Sequence, residues 1–234
     1  PHDPKSVYTG GNYLFRTTDG GHRWEVISPD LSTNDPAKQK DSGGPITLDN
    51  TGAEIHCTIL TISESPLEKG VIWCGTDDGN VQVTRDDGKT WKNVTKNIPG
   101  LPLNTWCARI EASHFDPGTA YAAFDGHRHD DYNTYAYKTT DYGKTWKSIK
   151  ANLPFGWVHV IREDLKNKNL LFAGTEFGVF ASLDSGKSWF SLKNNLPTAA
   201  VDDIAIHPRE NDLIIGTHGM GIWILDDISP LQEM

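Results

Sequence analysis

Basic runs are missing from this chain, and so are long apolar ones. Lysine and arginine total 22 against 31 aspartates and glutamates, for a formal net charge of -9. Recognition of nucleic acid rests on clustered Lys and Arg that release counterions from the phosphates, so that class of partner is excluded. No stretch approaches the roughly 18 apolar residues that a membrane-crossing helix needs. Cysteine is also scarce: Cys57, Cys74 and Cys107 have no metal-ligand spacing and cannot all pair. They read as small buried apolar residues in strands, with a Cys57 to Cys107 bridge left open. The chain starts Pro-His-Asp-Pro, without an initiating Met or a signal pattern, and so reads as mature or internal sequence.

Aromatics and turn formers are abundant. The 234 residues include 8 Trp, 7 Tyr, 8 Phe, 22 Gly and 13 Pro, with 37% hydrophobic residues overall. That balance suits a single strand-rich domain with many turns, since all-β architectures of this length commonly stay undivided.

One phrase organises the rest. Thr139 to Trp146 reads Thr-Thr-Asp-Tyr-Gly-Lys-Thr-Trp, and its frame of hydroxyl residue, Asp, Gly and Trp recurs over Thr17–Trp24, Thr84–Trp91 and Ser182–Trp189. An Asp in a tight turn accepts hydrogen bonds from the turn's own N–H groups, and a Gly two residues on supplies positive φ. The Trp, on the outgoing strand, is expected to fold back over the turn as a lid with its indole N–H free for a carbonyl. The motif trios are Asp19, Gly21, Trp24; Asp86, Gly88, Trp91; Asp141, Gly143, Trp146; and Asp184, Gly186, Trp189.

These corners resemble the Asp-boxes, or BNR repeats, of sialidase-type, sortilin-type and xyloglucanase-type β-propellers. The resemblance implies that the boxes lie on the loop between a blade's third and fourth strands, away from the binding face, and are structural rather than catalytic. The phrases Glu64–Trp73 and Gly216–Asp227 are similar to a group of large bacterial proteins with sortilin-like propellers, often labelled glycosyl hydrolases. That similarity spans nearly the whole chain.

The motif aspartates, at 19, 86, 141 and 184, are 67, 55 and 43 residues apart. The shortest interval suits one four-stranded blade, and the longer ones must hold insertions. The expected fold is an all-β propeller of four-stranded antiparallel blades near 1–29, 55–95, 105–150, 157–193 and 201–227, with a long polar loop over 28–54. The first blade lacks its inner strand and the last its outer one. These do not add up to one blade, so an arc of a larger propeller is expected rather than a closed five-bladed ring.

Loops joining second to third strands, and each blade to the next, share the face opposite the boxes. Residues expected there are His56, Asp77, Asp78, Trp106, Asp125 to Asp131, Trp157, His159, Glu176, Asp202 and His218. The loop Asp125-Gly126-His127-Arg128-His129-Asp130-Asp131-Tyr132 is densest in chemistry. If extended, it would turn His127 and His129 to one side. His127, His129 and Asp131 could together hold a metal, but the reading adopted is a ligand-contacting loop with no metal or other cofactor. For a glycosidase, which needs two facing carboxylates, Asp77, Asp125, Asp131 and Glu176 are the candidates, and no spacing selects a pair. The arginine triad of sialidases is not evident, because of seven Arg only Arg128 lies clearly on the face. The function expected is non-catalytic binding of a peptide, protein or glycan in an extracellular, periplasmic or envelope setting, within a longer chain or assembly. Glycoside hydrolysis and a purely structural role are the alternatives.

Overall fold

A computed structural model describes residues 1–40, 47 and 56–234. Of the expected loop over 28–54, residues 41–46 and 48–54 lie outside the described residues, as does residue 55.

The chain forms the blades of a β-propeller, and its described residues make five antiparallel sheets, each a meander of sequential neighbours. The first sheet has β1 (Val7–Gly10), β2 (Leu14–Thr17) and β3 (Glu25–Val26). The second has β4 (Ile59–Glu64), β5 (Ile72–Thr76), β6 (Val81–Thr84) and β7 (Lys92–Asn93). The third has β8 (Trp106–Ala112), β9 (Ala120–Asp125), β10 (Tyr135–Thr139) and β11 (Lys147–Ser148). The fourth has β12 (Val158–Glu163), β13 (Leu171–Thr175), β14 (Gly178–Ser182) and β15 (Phe190–Ser191). The fifth has β16 (Val201–Ile206), β17 (Leu213–Thr217) and β18 (Ile222–Leu225), after which a short helix, α1 (Ser229–Gln232), ends the chain. The three middle sheets have four strands and the two outer ones three.

The core lies between sheets. Trp73 and Val83 of the second sheet pack with Ile110, Phe124 and Trp146 of the third, and Val160 and Phe172 of the fourth with Ile204 and Ile215 of the fifth. A strand with a sheet on either side must be apolar on both faces, and β5, β9 and β13 are buried at every residue. Two-residue outer strands such as Lys92–Asn93 and Lys147–Ser148 are exposed throughout. Short, charged edges of this kind discourage pairing with another sheet.

The repeated turn is closed from within. The hydroxyls of Thr17, Thr84, Thr139 and Ser182 each donate to the motif Asp and accept the Gly N–H two residues further on. The Asp accepts the backbone N–H four residues later, from Arg23, Thr90, Thr145 and Ser188. In three copies it also accepts that residue's hydroxyl.

The Trp side chains do something else. Trp91 donates its indole N–H to the Ile27 carbonyl at 3.0 Å, and Trp189 to the Ile149 carbonyl at 2.8 Å. Both acceptors belong to the preceding blade. Trp146 packs edge-on against Trp73 of the preceding blade, with ring centroids 6.0 Å apart. The expected lid over its own turn is therefore a strap between blades. Trp24, in the first sheet, is 46% exposed.

Donors facing the carboxylates hold these acids low. The Thr90 hydroxyl and N–H pull Asp86 down to about 2, against an ordinary 3.8. At Asp184 burial pushes upward but the Ser188 hydroxyl and N–H outweigh it, and it too lies at about 2. Carboxyls that are more acidic folded than unfolded add stability above the unfolded value, and this is lost as pH falls towards the folded one. The turns should thus stay ionised at pH 4 and loosen between about pH 4 and 2. Carboxyl 13C shifts followed by NMR check this, and midpoints near 3.8 for Asp86 and Asp184 would refute it.

The turn after each inner strand has its own device. Ser65, Ser113 and Asp164 accept backbone N–H groups two and three residues ahead, and the His207 ring accepts the Glu210 N–H three ahead.

Candidate binding face

The face opposite the repeated turns carries an unbroken string of aromatic and charged side chains. Its centre is Asp125, the last residue of β9 and 2% exposed. This carboxylate accepts the His127 N–H at 2.9 Å, meets His127 Nδ1 at 2.6 Å and accepts from Arg128 Nη1 at 3.3 Å. Those bonds wind the loop into a 3-10 turn over His127–His129. The extended conformation expected from the sequence, with both imidazoles on one side, is replaced because a buried carboxylate must be satisfied by its nearest donors.

From Asp125 the string runs both ways. Arg128 lies over the Trp106 ring, 3.9 Å from its centroid, and His56 meets the same ring edge-on at 5.4 Å. In the other direction His127 stacks on Trp157 at 4.7 Å, with Tyr132 6.1 Å away. The Trp157 indole donates to His159 Nε2. Burial holds His159 below the usual imidazole range, which favours the neutral ring, one nitrogen of which can accept. Asp202 sits between His159 at 3.6 Å and His218 at 3.3 Å. Inner-strand starts and second-to-third-strand loops of four blades thus meet in one ridge.

Other expected site residues lie apart from the ridge or serve the scaffold. Asp77 and Asp78 are buried. Asp77 accepts the Cys57 and Thr58 N–H groups at 2.9 and 2.8 Å, holding Cys57 in its left-handed conformation. Asp78 accepts the Thr33 N–H and hydroxyl at 2.6 and 2.7 Å and the Thr76 hydroxyl. Asp131 is occupied by the Tyr135 hydroxyl at 2.7 Å and by Asn133. His129 and Asp130 are exposed. His127, His129 and Asp131 are not gathered, and among the described residues no group of three ligating side chains could hold a metal. The three thiols are free and buried, so the open Cys57 to Cys107 bridge is not formed.

Glu176 is different. It occupies the same turn position as Asp77, in Thr175-Glu176-Phe177-Gly178 against Thr76-Asp77-Asp78-Gly79. The backbone bond is kept, from Glu176 N to the Trp157 carbonyl at 3.3 Å and from Asp77 N to the Thr58 carbonyl at 3.0 Å. Among the described residues the Glu176 carboxylate has no hydrogen-bond or ion-pair partner, and burial pushes it above its ordinary value.

Apart from Tyr132, sequence reasoning missed the apolar part of this face. Leu103 is 86% exposed, Phe155 67%, Met220 52%, Phe177 47% and Tyr132 42%. All five stand in the loops of the same side. The available signal was a large apolar residue inside a Gly- or Pro-containing loop, as in Leu153-Pro154-Phe155-Gly156.

The inner strands hold a second polar group that the sequence reading left unassigned. Arg162 of β12 bonds Glu111 of β8, Asp203 of β16 at 3.0 Å and the Ile204 carbonyl at 2.6 Å, and Arg109 reaches Asp203 at 2.9 Å. Glu111 is buried, which raises its carboxyl even with Arg162 alongside. Glu163 accepts the Tyr121 and Ser113 hydroxyls, both at 2.8 Å.

No family model matches the chain. Over 73 residues it is 40% identical to Vacuolar protein sorting/targeting protein 10 of Sordaria macrospora, covering 31% of this chain and 4% of that protein. Over 188 residues it is 25% identical to a probable oligoxyloglucan-reducing end-specific xyloglucanase of Neosartorya fischeri, covering 70% of this chain and 22% of that one. Among solved structures, the GH74 xyloglucanase of Xanthomonas campestris superposes with a TM-score of 0.70 at 17% identity, over 97% of this chain and 36% of that one. YCF48 bound to D1 peptide superposes with a TM-score of 0.57 at 16% identity, over 96% and 62%. The chain therefore spans a small part of the curated relatives it matches and about a third of the xyloglucanase structure. These likenesses agree on the fold, a β-propeller.

Proposed function

We propose that the chain is part of an Asp-box propeller of the sortilin-like kind, and that it acts outside the cytoplasm as a non-catalytic module binding a peptide or protein on the face opposite the repeated turns. The observation that carries this reading is the exposure of Leu103, Tyr132, Phe155, Phe177 and Met220 on that one side. Large apolar groups rimmed by polar ones mark interaction surfaces. YCF48, a propeller of similar fold, is seen with a bound peptide. The bare Trp24, whose counterparts are strapped to a preceding blade, supports the reading of this chain as an arc within a longer propeller or assembly.

The test is selection from a displayed peptide library in parallel with a glycan array. Peptide ligands are expected, with affinity falling at least about tenfold, or 1.4 kcal/mol, in F155A/F177A. Binding to glycans alone, or peptide binding indifferent to both phenylalanines, would overturn the reading.

A second reading, glycoside hydrolysis, is favoured by one observation: burial raises the Glu176 carboxyl, outweighing the downward pull of His127. Such hydrolysis uses a pair of carboxyls, one of them acting as proton donor. Release of reducing ends from xyloglucan oligosaccharides, abolished in E176Q, would establish it over the first.

A further inference from the structure

The ridge leaves one charge unanswered, and its surroundings say what would answer it. The Glu176 carboxylate and the Phe177 ring lean over Gly156 so closely that a Cβ there would come within 2.8 Å of Glu176 Oε2 and 3.1 Å of Phe177 Cε2. The Gly156 N–H is held by the Tyr132 carbonyl at 2.9 Å. The Tyr132 ring is 6.1 Å from Trp157, and Phe155 and Trp157 flank the glycine in sequence. Four aromatic residues thus stand on the backbone segments joined at Gly156 and Glu176, and three of them, Tyr132, Phe155 and Phe177, are exposed.

The neighbouring basic side chains are already engaged. His127 is paired with Asp125, and Arg128 is shared between Asp125 and the Trp106 ring. At the matching turn in the second sheet, the shorter Asp77 reaches two backbone N–H groups, whereas Glu176 finds none. A carboxylate next to aromatic rings suits a cation carried on an apolar stem, since the rings attract it through their quadrupoles while the acid supplies the charge.

We propose that Glu176, together with Tyr132, Phe155, Trp157 and Phe177, forms a recess for a cationic side chain, a lysine or arginine of the bound peptide. This rests on the reading of the face as a peptide-binding surface and names the residue type that anchors there. The chain's net charge of -9 favours approach by a basic segment.

The test uses Nα-acetyl-arginine amide and its uncharged isostere, Nα-acetyl-citrulline amide, followed by the NMR shift of the Trp157 indole N–H. Arginine amide is expected to bind the wild type at least about tenfold more tightly than citrulline amide. E176Q should erase that preference while leaving citrulline binding in place, and F177A should weaken both probes. Equal affinity for the two probes, a preference that survives in E176Q, or no shift with either at about 50 mM would each overturn the proposal. The broader reading is judged separately: library peptides that need Phe155 and Phe177 but show no preference for basic residues would sink the cation recess and leave the binding face standing.

Discussion

Alanine at position 88 is expected to destabilise the fold by about 3 kcal/mol or more, while the same change at position 21 costs about 1 kcal/mol. Both glycines occupy the left-handed region, with φ of 87° at Gly88 and 94° at Gly21, so the strain of giving an L-residue that backbone is common to the two. Their surroundings differ. A Cβ on Gly88 would stand 2.3 Å from the Ile27 carbonyl oxygen and 3.1 Å from Ile27 Cβ, whereas the nearest atom to one on Gly21 is its own Trp24 ring at 3.9 Å. Backbone cannot step aside as a flexible side-chain tip can, so the second blade must lift from the first or the turn must open. Urea unfolding followed by tryptophan fluorescence gives both values from the shift in midpoint. Equal losses at the two positions would show that the glycine serves only its own turn, and the account of the repeat as a join between blades would fall.

The second large effect concerns Arg162. R162M should cost about 3 to 5 kcal/mol, because it leaves the buried Glu111 carboxylate without its cation. The double variant R162M/E111L should recover most of that loss, since replacing both partners by apolar groups of similar size removes the uncompensated charge. Acid should partly rescue the single variant. A buried carboxyl whose folded value lies above its unfolded one takes up its proton more readily when folded, so falling pH favours the folded state. Additive losses in the double variant would mean that Arg162 acts through Asp203 and the Ile204 carbonyl rather than through Glu111.

The sheets were legible in the chain because their signal is local and repeated. The hydroxyl, Asp and Gly of each turn bond to one another within a few residues, so spacing alone reports them. What the Trp does was not legible, since its partner carbonyl lies 64 residues away for Trp91 and 40 for Trp189. The loop after Asp125 misled for a related reason: its conformation is set by a carboxylate at the buried end of β9, and nothing in the loop's own composition shows that burial. Asp77 and Glu176 make the point most sharply. They share one position in the repeat, and a single methylene with a different opposing loop turns a structural acid into an unpaired one.

The tryptophan strap also fixes where one of these units ends. The first and third blades are gripped by the ones that follow them, at the carbonyls of Ile27 and Ile149, a few residues beyond their own outgoing tryptophans, Trp24 and Trp146. A cassette for grafting or duplication should therefore be cut after Ile149 and not at Trp146, so that its successor still finds an oxygen to hold. Insertions between those two residues would shift that oxygen, and with it the angle at which every later blade is laid down.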